Sequence, residues 1–208
     1  EEVASYVRQS FAGNTLTTAA AAFGTQPGLA AAPRTRREIG SRVRDVVLAL
    51  ALCHNVTPTT DEEDGVKVTS YQASSPDEIA IVRYTEEVGL KVSYRDRQTI
   101  ALESTDTGHV VVRVRILDIF PFTSDSKRMG IIVKFDTDQG NDILNSPTGE
   151  EEIWFYQKGA DTVMTSIVAA NDWLDEETAN MAREGLRTLV VGRKRLSSLQ
   201  YQEFANKY

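Results

Sequence analysis

The sequence predicts an α+β domain, an antiparallel or mixed sheet with helices packed on it. Three observations carry this reading. Short apolar runs with a period of two recur along the chain. Stretches with helical spacing and recognisable caps stand between them. The links between several strand-like runs are of hairpin length, as sequence-adjacent antiparallel strands require.

The elements follow in order. Residues 14–37 are rich in Ala, Thr, Gly, Pro and Arg, with Pro27-Gly28 and Pro33 as breakers. Their large apolar surface is too small to repay ordering, so residues 1–40 are expected to form a flexible N-terminal segment. The folded domain then runs over 41–208. Across 41–55, Val43, Val46, Val47 and Leu50 recur at helical spacing as one apolar stripe. Residues 66–71 are short and β-rich. Ser75-Pro76-Asp77-Glu78 opens a helix to Val88, closed by Gly89. Val112, Val114 and Ile116 alternate with Arg113 and Arg115, the pattern of a half-buried strand.

Residues 130–135 and 153–157 read as two further strands. The acidic stretch 136–152 between them, with Ser146-Pro147, is expected to be a disordered hairpin insertion. Asp161 can cap a helix over 162–170, and Asp175 another ending at Gly185. Residues 186–195 return to strand, and Ser197 can cap a last helix. No internal repeat is found.

Composition narrows the function. The chain has 208 residues, enough for one good-sized domain, with 41% hydrophobic and 25% charged residues, as in ordinary globular proteins. A net charge of −7 argues against nucleic acid as a partner. One cysteine excludes an internal disulfide, and with two histidines it cannot build a zinc cluster. A reducing, cytosolic setting is expected. No run approaches the roughly 20 apolar residues that cross a bilayer, and the first residues lack the pattern of a signal peptide, so no direct membrane insertion is expected.

Absent motifs narrow it further. There is no G-x-x-x-x-G-K-[ST] loop, no G-x-G-x-x-G and no G-x-S-x-G elbow. No catalytic constellation and no metal site is expected.

Four stretches combine residue types that a core does not require. Ser75-Pro76-Asp77-Glu78 reads as a capping box, or as a helix start presenting Glu78 to a ligand amine. Phe120 to Met129 gathers Phe122, Thr123, Ser124, Lys127 and Arg128. This is either a solvated turn with one anchoring ring, or an aromatic and cations placed for a flat base with phosphates. Lys158-Gly159-Ala160-Asp161 is a strand-to-helix turn, or a lysine beside small residues that let a ligand approach the backbone. In Glu184-Gly185-Leu186-Arg187-Thr188-Leu189 a glycine helix stop precedes a strand, which leaves Arg187 unexplained.

Y-Q-A-S-S-P-D-E, F-T-S-D-S-K-R-M, K-G-A-D and E-G-L-R-T-L, in this order, resemble the nucleotide-binding domain of P-type ATPases. The S-P-D-E and K-R-M forms resemble the type IV branch, the phospholipid flippases. A-L-A-L-C-H-N-V-T-P at 49–58 and Ile79 to Val82 are similar to its Golgi and endosome members. The resemblance covers 41–208, outside 14–37 and the insertion. It implies a twisted antiparallel sheet with helices on its faces, on the cytosolic side of a Golgi or endosomal membrane. It implies an ATP pocket in which Phe122 stacks on adenine, the Lys158 stem lines the other side and Glu78 meets the exocyclic amine. Lys127 and Ser124 border the nucleotide, and Arg187 with Thr188 reaches toward the phosphates.

The family's phosphorylated D-K-T-G-T, its T-G-D and G-D-G-x-N-D motifs and its D-G-E-T-type loop do not occur. The chain is therefore expected to be a non-catalytic fragment that presents ATP to an aspartate on another domain. Its expected partners are the phosphorylation, actuator and transmembrane domains of a parent pump, which itself needs Mg²⁺. Two other readings stay open. One is a stand-alone magnesium-dependent phosphohydrolase built on Asp77, Glu78 and Asp125. The other is an interaction module that docks through 14–37 and 136–152, with Phe122 in the core.

Overall fold

A computed structural model of the chain describes residues 1–11, 36–63, 66–73, 75–136, 152–169 and 172–207. The segment 14–35 and residues 137–151 lie outside these, and with them the expectation of a disordered insertion.

Helix α1 (Glu2–Phe11) precedes helix α2 (Arg36–Leu52). A hairpin of β1 (Thr57–Glu63) and β2 (Val66–Gln72) leads to α3 (Pro76–Glu87). Strands β3 (Leu90–Arg95), β4 (Thr99–Ser104), β5 (Val110–Phe120), β6 (Arg128–Phe135) and β7 (Ile153–Ala160) follow. The short α4 (Asp161–Met164) and α5 (Asp172–Arg183) separate β7 from β8 (Leu189–Leu196), and α6 (Ser198–Ala205) comes last. Strands β3 to β8 form one six-stranded sheet in sequence order, every neighbouring pair antiparallel.

The main core lies between one sheet face and helices α1 to α3. Met129, Ile131 and Val133 of β6 and Val112, Val114 and Ile116 of β5 meet Val47, Leu48, Ala51 and Leu52 of α2. Each such aliphatic side chain contributes about 1.5–3 kcal/mol on burial. On the opposite face, a Cβ on Gly192 would lie 3.0 Å from Val168 and 3.7 Å from Met164, so the chain after β7 packs over β8 there.

Three expectations need correction. Glu2–Phe11 is not part of a flexible segment, because Val7 and Phe11, one helical turn apart, are buried in the main core. The α2 stripe is rotated: Val46 is 52% exposed, and Leu48, Ala51 and Leu52 face inward. In an all-aliphatic run the periodic signal cannot choose a face. The helix expected over 162–170 is the single turn Asp161–Met164, and α5 begins before Asp175.

Strands β1, β3 and β4 were not foreseen. β1 is polar and lacks apolar alternation, whereas Leu90, Val92, Ile100 and Leu102 do alternate and are fully buried. Asp96 closes the β3–β4 turn by accepting from Gln98 N–H (2.7 Å) and Thr99 N–H (2.6 Å); the Tyr94 hydroxyl first, and then these two N–H groups, hold its carboxyl below the usual range.

Candidate functional site

Four chain segments meet at one end of the sheet, and each is placed by local chemistry. At the start of α3, Ser75 Oγ accepts from Asp77 N–H (3.3 Å) and Pro76 occupies the first turn. The capping box is not made: Ser75 caps the second helical residue instead of the third, and Glu78 turns away from the cap. Glu78 Oε2 accepts from Asn55 N–H at 2.9 Å, and Oε1 lies 2.6 Å from Lys158 Nζ.

Lys158 is not a solvated turn residue. It lies within β7, paired with Met129 and Val191, and is 3% exposed. A buried ammonium is costly unless paired, so Glu78 is its necessary partner. The 2.6 Å contact is off the line of an ordinary hydrogen bond, and no other hydrogen-bond acceptor among the described residues reaches Nζ. Nζ itself is closed off from solvent, so Lys158 lines the cleft through its other atoms.

The turn at 123–127 is tied by Lys127 N–H to Thr123 O (2.9 Å) and Ser126 N–H to Thr123 Oγ1 (3.1 Å). Lys127 adopts a left-handed backbone with φ 49°, a conformation few side-chain-bearing residues take. The turn leaves Phe122 62% exposed. The anchoring aromatic is Phe120 instead, edge-on to Phe155 and Phe204 at 5.8 Å each. Phe122 is thus not in the core, where the interaction-module reading had it; the docking segments of that reading lie almost wholly outside the described residues.

Gly159 has a different purpose from the one expected. A Cβ there would lie 2.6 Å from Lys127 O and 2.7 Å from Arg128 Cβ, and Ala160 N–H donates to Lys127 O at 3.0 Å. The missing side chain makes room for the start of β6, not for a ligand. Gly185, at φ +78°, ends α5, with Leu186 N–H donating to Met181 O at 3.1 Å. This turn delivers Arg187, whose Nη1 donates to Asp77 Oδ2.

These segments enclose a cleft of about 530 Å³, within the usual range for a small-molecule site. Its wall includes Glu78, Phe122, Lys127, Lys158, Arg187 and Thr188. Ser124, expected to border the nucleotide, is exposed and does not line the cleft. Asn55, Ile119 and Met129 line it unforeseen. Asn55 takes part through its backbone N–H, which no residue-type pattern reveals. Asp125 is exposed and absent from the wall, and Asp77 and Glu78 are each held by a cation. The three carboxylates of the hydrolase reading therefore do not converge. Among the described residues no group of three or more His, Cys, Asp or Glu is placed to hold a metal.

Beneath the cleft, His54 is fully buried. Its Nε2 donates to Ala51 O (2.8 Å), and its Nδ1 accepts from Val56 N–H (3.0 Å) and Arg95 Nη1 (3.0 Å). Burial, then the Arg95 and Lys158 charges, hold its pKa well below 6.5, so the ring is neutral. Burial pushes the neighbouring Cys53 thiol up to about 12, and it is inert there. Among the described residues no helix is long and apolar enough to cross a membrane.

The chain matches the family model described as "P-type ATPase, cytoplasmic domain N" over residues 42–208. It is 53% identical over 174 residues to "Phospholipid-transporting ATPase NEO1" of Saccharomyces cerevisiae, covering 84% of the chain and 14% of that protein. It is 42% identical over 226 residues to "Probable phospholipid-transporting ATPase IIB" of Homo sapiens, covering all of the chain and 18% of that protein. It is 40% identical over 210 residues to "Probable phospholipid-transporting ATPase tat-5" of Caenorhabditis elegans, covering all of the chain and 16% of that protein. The chain thus spans less than a fifth of these curated relatives' length. It belongs to the P-type ATPase cytoplasmic domain N family.

Proposed function

We propose that the cleft holds ATP by its base and that the domain offers the γ-phosphate to an aspartate on a domain outside this chain. The parent would be a phospholipid-translocating pump of Golgi or endosomal membranes, with the phosphorylation, actuator and transmembrane domains as partners. The observation that carries the reading is the pairing of an exposed ring with a buried cation. Phe122 is exposed at the cleft, and Lys158 and Glu78 line its wall as a buried ion pair.

In this reading adenine stacks on Phe122, its exocyclic amine donates to Glu78, and the Lys158 stem covers the other side. Lys127 borders the ribose end. Arg187, once released from Asp77, meets the phosphates beside the Thr188 hydroxyl. Both carboxylates on the wall already face cations, so the residues present do not fit a magnesium ion. Magnesium needed by the parent enzyme would be held elsewhere. Among the described residues none is placed as an in-line nucleophile, and in this reading the domain binds ATP without splitting it.

Affinity should be weak, about millimolar, because one stacked base and a few hydrogen bonds must offset the loss of ligand freedom. Calorimetric titration with ATP, ADP and AMP tests this. Affinities within about tenfold of one another support recognition through the base. Binding that collapses from ATP to AMP would place the affinity on the phosphates instead.

A further inference from the structure

We infer that His54, which touches no part of the cleft, is its positioning residue: its ring fixes the turn whose Asn55 N–H holds Glu78 against Lys158. The inference rests on the proposed ATP site. Its basis is a chain of hydrogen bonds with no spare member. Helix α2 ends at Leu52 and β1 begins at Thr57, so the chain passes from helix to strand within four residues. The last carbonyls of a helix need outside donors. His54 Nε2–H supplies one, to Ala51 O at 2.8 Å. On the other side of the ring, Nδ1 accepts Val56 N–H at 3.0 Å. The imidazole thus bridges both ends of the turn, and Arg95 Nη1, also 3.0 Å from Nδ1, ties it to β3.

Asn55 sits between these two anchors. Its N–H points to Glu78 Oε2 (2.9 Å), and the carboxylate's second oxygen meets Lys158 (2.6 Å). The local sequence offers Glu78 another partner. As the third residue of a helix capped by Ser75, it can fold back on the cap and complete the box. Which partner it takes depends on where the 53–56 turn holds the Asn55 N–H. A phenylalanine would fill the space of the ring, but it has neither the donor at Nε2 nor the acceptor at Nδ1. Packing and positioning can therefore be separated.

The test uses the 208-residue chain with ATP and AMP as probes, comparing His54→Phe, His54→Gln, Glu78→Gln and the double variant His54→Phe/Glu78→Gln. His54→Phe is expected to weaken both nucleotides about tenfold, the effect of losing one hydrogen bond to a charged group at the base end. His54→Gln, which still donates and accepts, should stay within about threefold of wild type. In the Glu78→Gln background the effect of His54→Phe should shrink below about twofold, because His54 acts through that carboxylate. A His54→Phe protein that binds with wild-type affinity, or an undiminished effect in the Glu78→Gln background, would overturn the inference while leaving the ATP site intact. Failure of the wild-type chain to bind either nucleotide would overturn the site and the inference together. Should His54→Phe not fold, amide exchange decides. Asn55 N–H protected in wild type and released by Glu78→Ala is the expected result, and protection indifferent to Glu78→Ala contradicts it.

Discussion

Lys158 Nζ lies 2.6 Å from Glu78 Oε1, inside the protein, joining the middle of a sheet strand to the first turn of a helix. The contact links stability to function, since the same two side chains form the wall of the cleft. Glu78→Ala strands a buried ammonium and is expected to lower the unfolding free energy by about 3–5 kcal/mol. Glu78→Leu combined with Lys158→Met removes both charges and should recover most of that stability, because an apolar pair of similar volume has no desolvation cost. Nucleotide binding should be lost in both proteins. Urea unfolding and an ATP titration on the same samples separate the two effects.

Phe122 gives the opposite combination. At 62% exposure it adds little to the core, so Phe122→Ala should change stability by less than about 0.5 kcal/mol. Binding of any adenine nucleotide should weaken by about 1–3 kcal/mol, the usual contribution of a stacked base. Phe122→Tyr should be nearly neutral in both measurements.

Arg187 and Asp77 close the cleft from opposite sides, with side chains 76% and 50% exposed. An exposed pair contributes about 0–1 kcal/mol to stability, so neither Arg187→Ala nor Asp77→Asn should shift the unfolding midpoint much. Their effects on ligands should differ in sign. Arg187→Ala weakens ATP more than AMP, since only the polyphosphate reaches that charge. Asp77→Asn frees Arg187 and should tighten ATP a few-fold, by about the strength of the exposed pair, with AMP unchanged.

His54 makes stability depend on pH. Its folded pKa is depressed below 6.5, so between 6.5 and that lower value the unfolded chain binds more protons than the folded one. Stability must therefore fall as pH drops below 6.5, by up to about 1.4 kcal/mol per pH unit from this group. Denaturant midpoints between pH 7 and 5 should show the slope, and His54→Gln should flatten it.

Much of this site was legible in the sequence because its signals are local. Gly185, Ser75 and the strand alternation around Val112 each report on a few neighbouring residues, and the structure places them as read. What was hidden depends on long-range packing. The turn of α2 toward the core is invisible in a run where every residue from Val46 to Leu52 is aliphatic. Helix α1 is ten residues long and gains its stability by inserting Val7 and Phe11 into a core built by later segments. Gly159 looked like ligand clearance because its crowding neighbours, Lys127 and Arg128, come from another strand. Ser124 lies two residues from Phe122 yet does not line the cleft, a difference that only the fold of that turn decides. The Asn55 contact uses a backbone N–H and so left no mark in residue type.

If this cleft is the ATP site, amide chemical-shift mapping during an ATP titration will locate the nucleotide there. Saturable shifts are expected at Asn55, Glu78, Phe122, Lys127, Lys158 and Thr188, with the same set, Thr188 least, moving for AMP. Shifts confined to other surfaces, or no saturable shift at Phe122 and Lys158 with ATP well above millimolar, would contradict it.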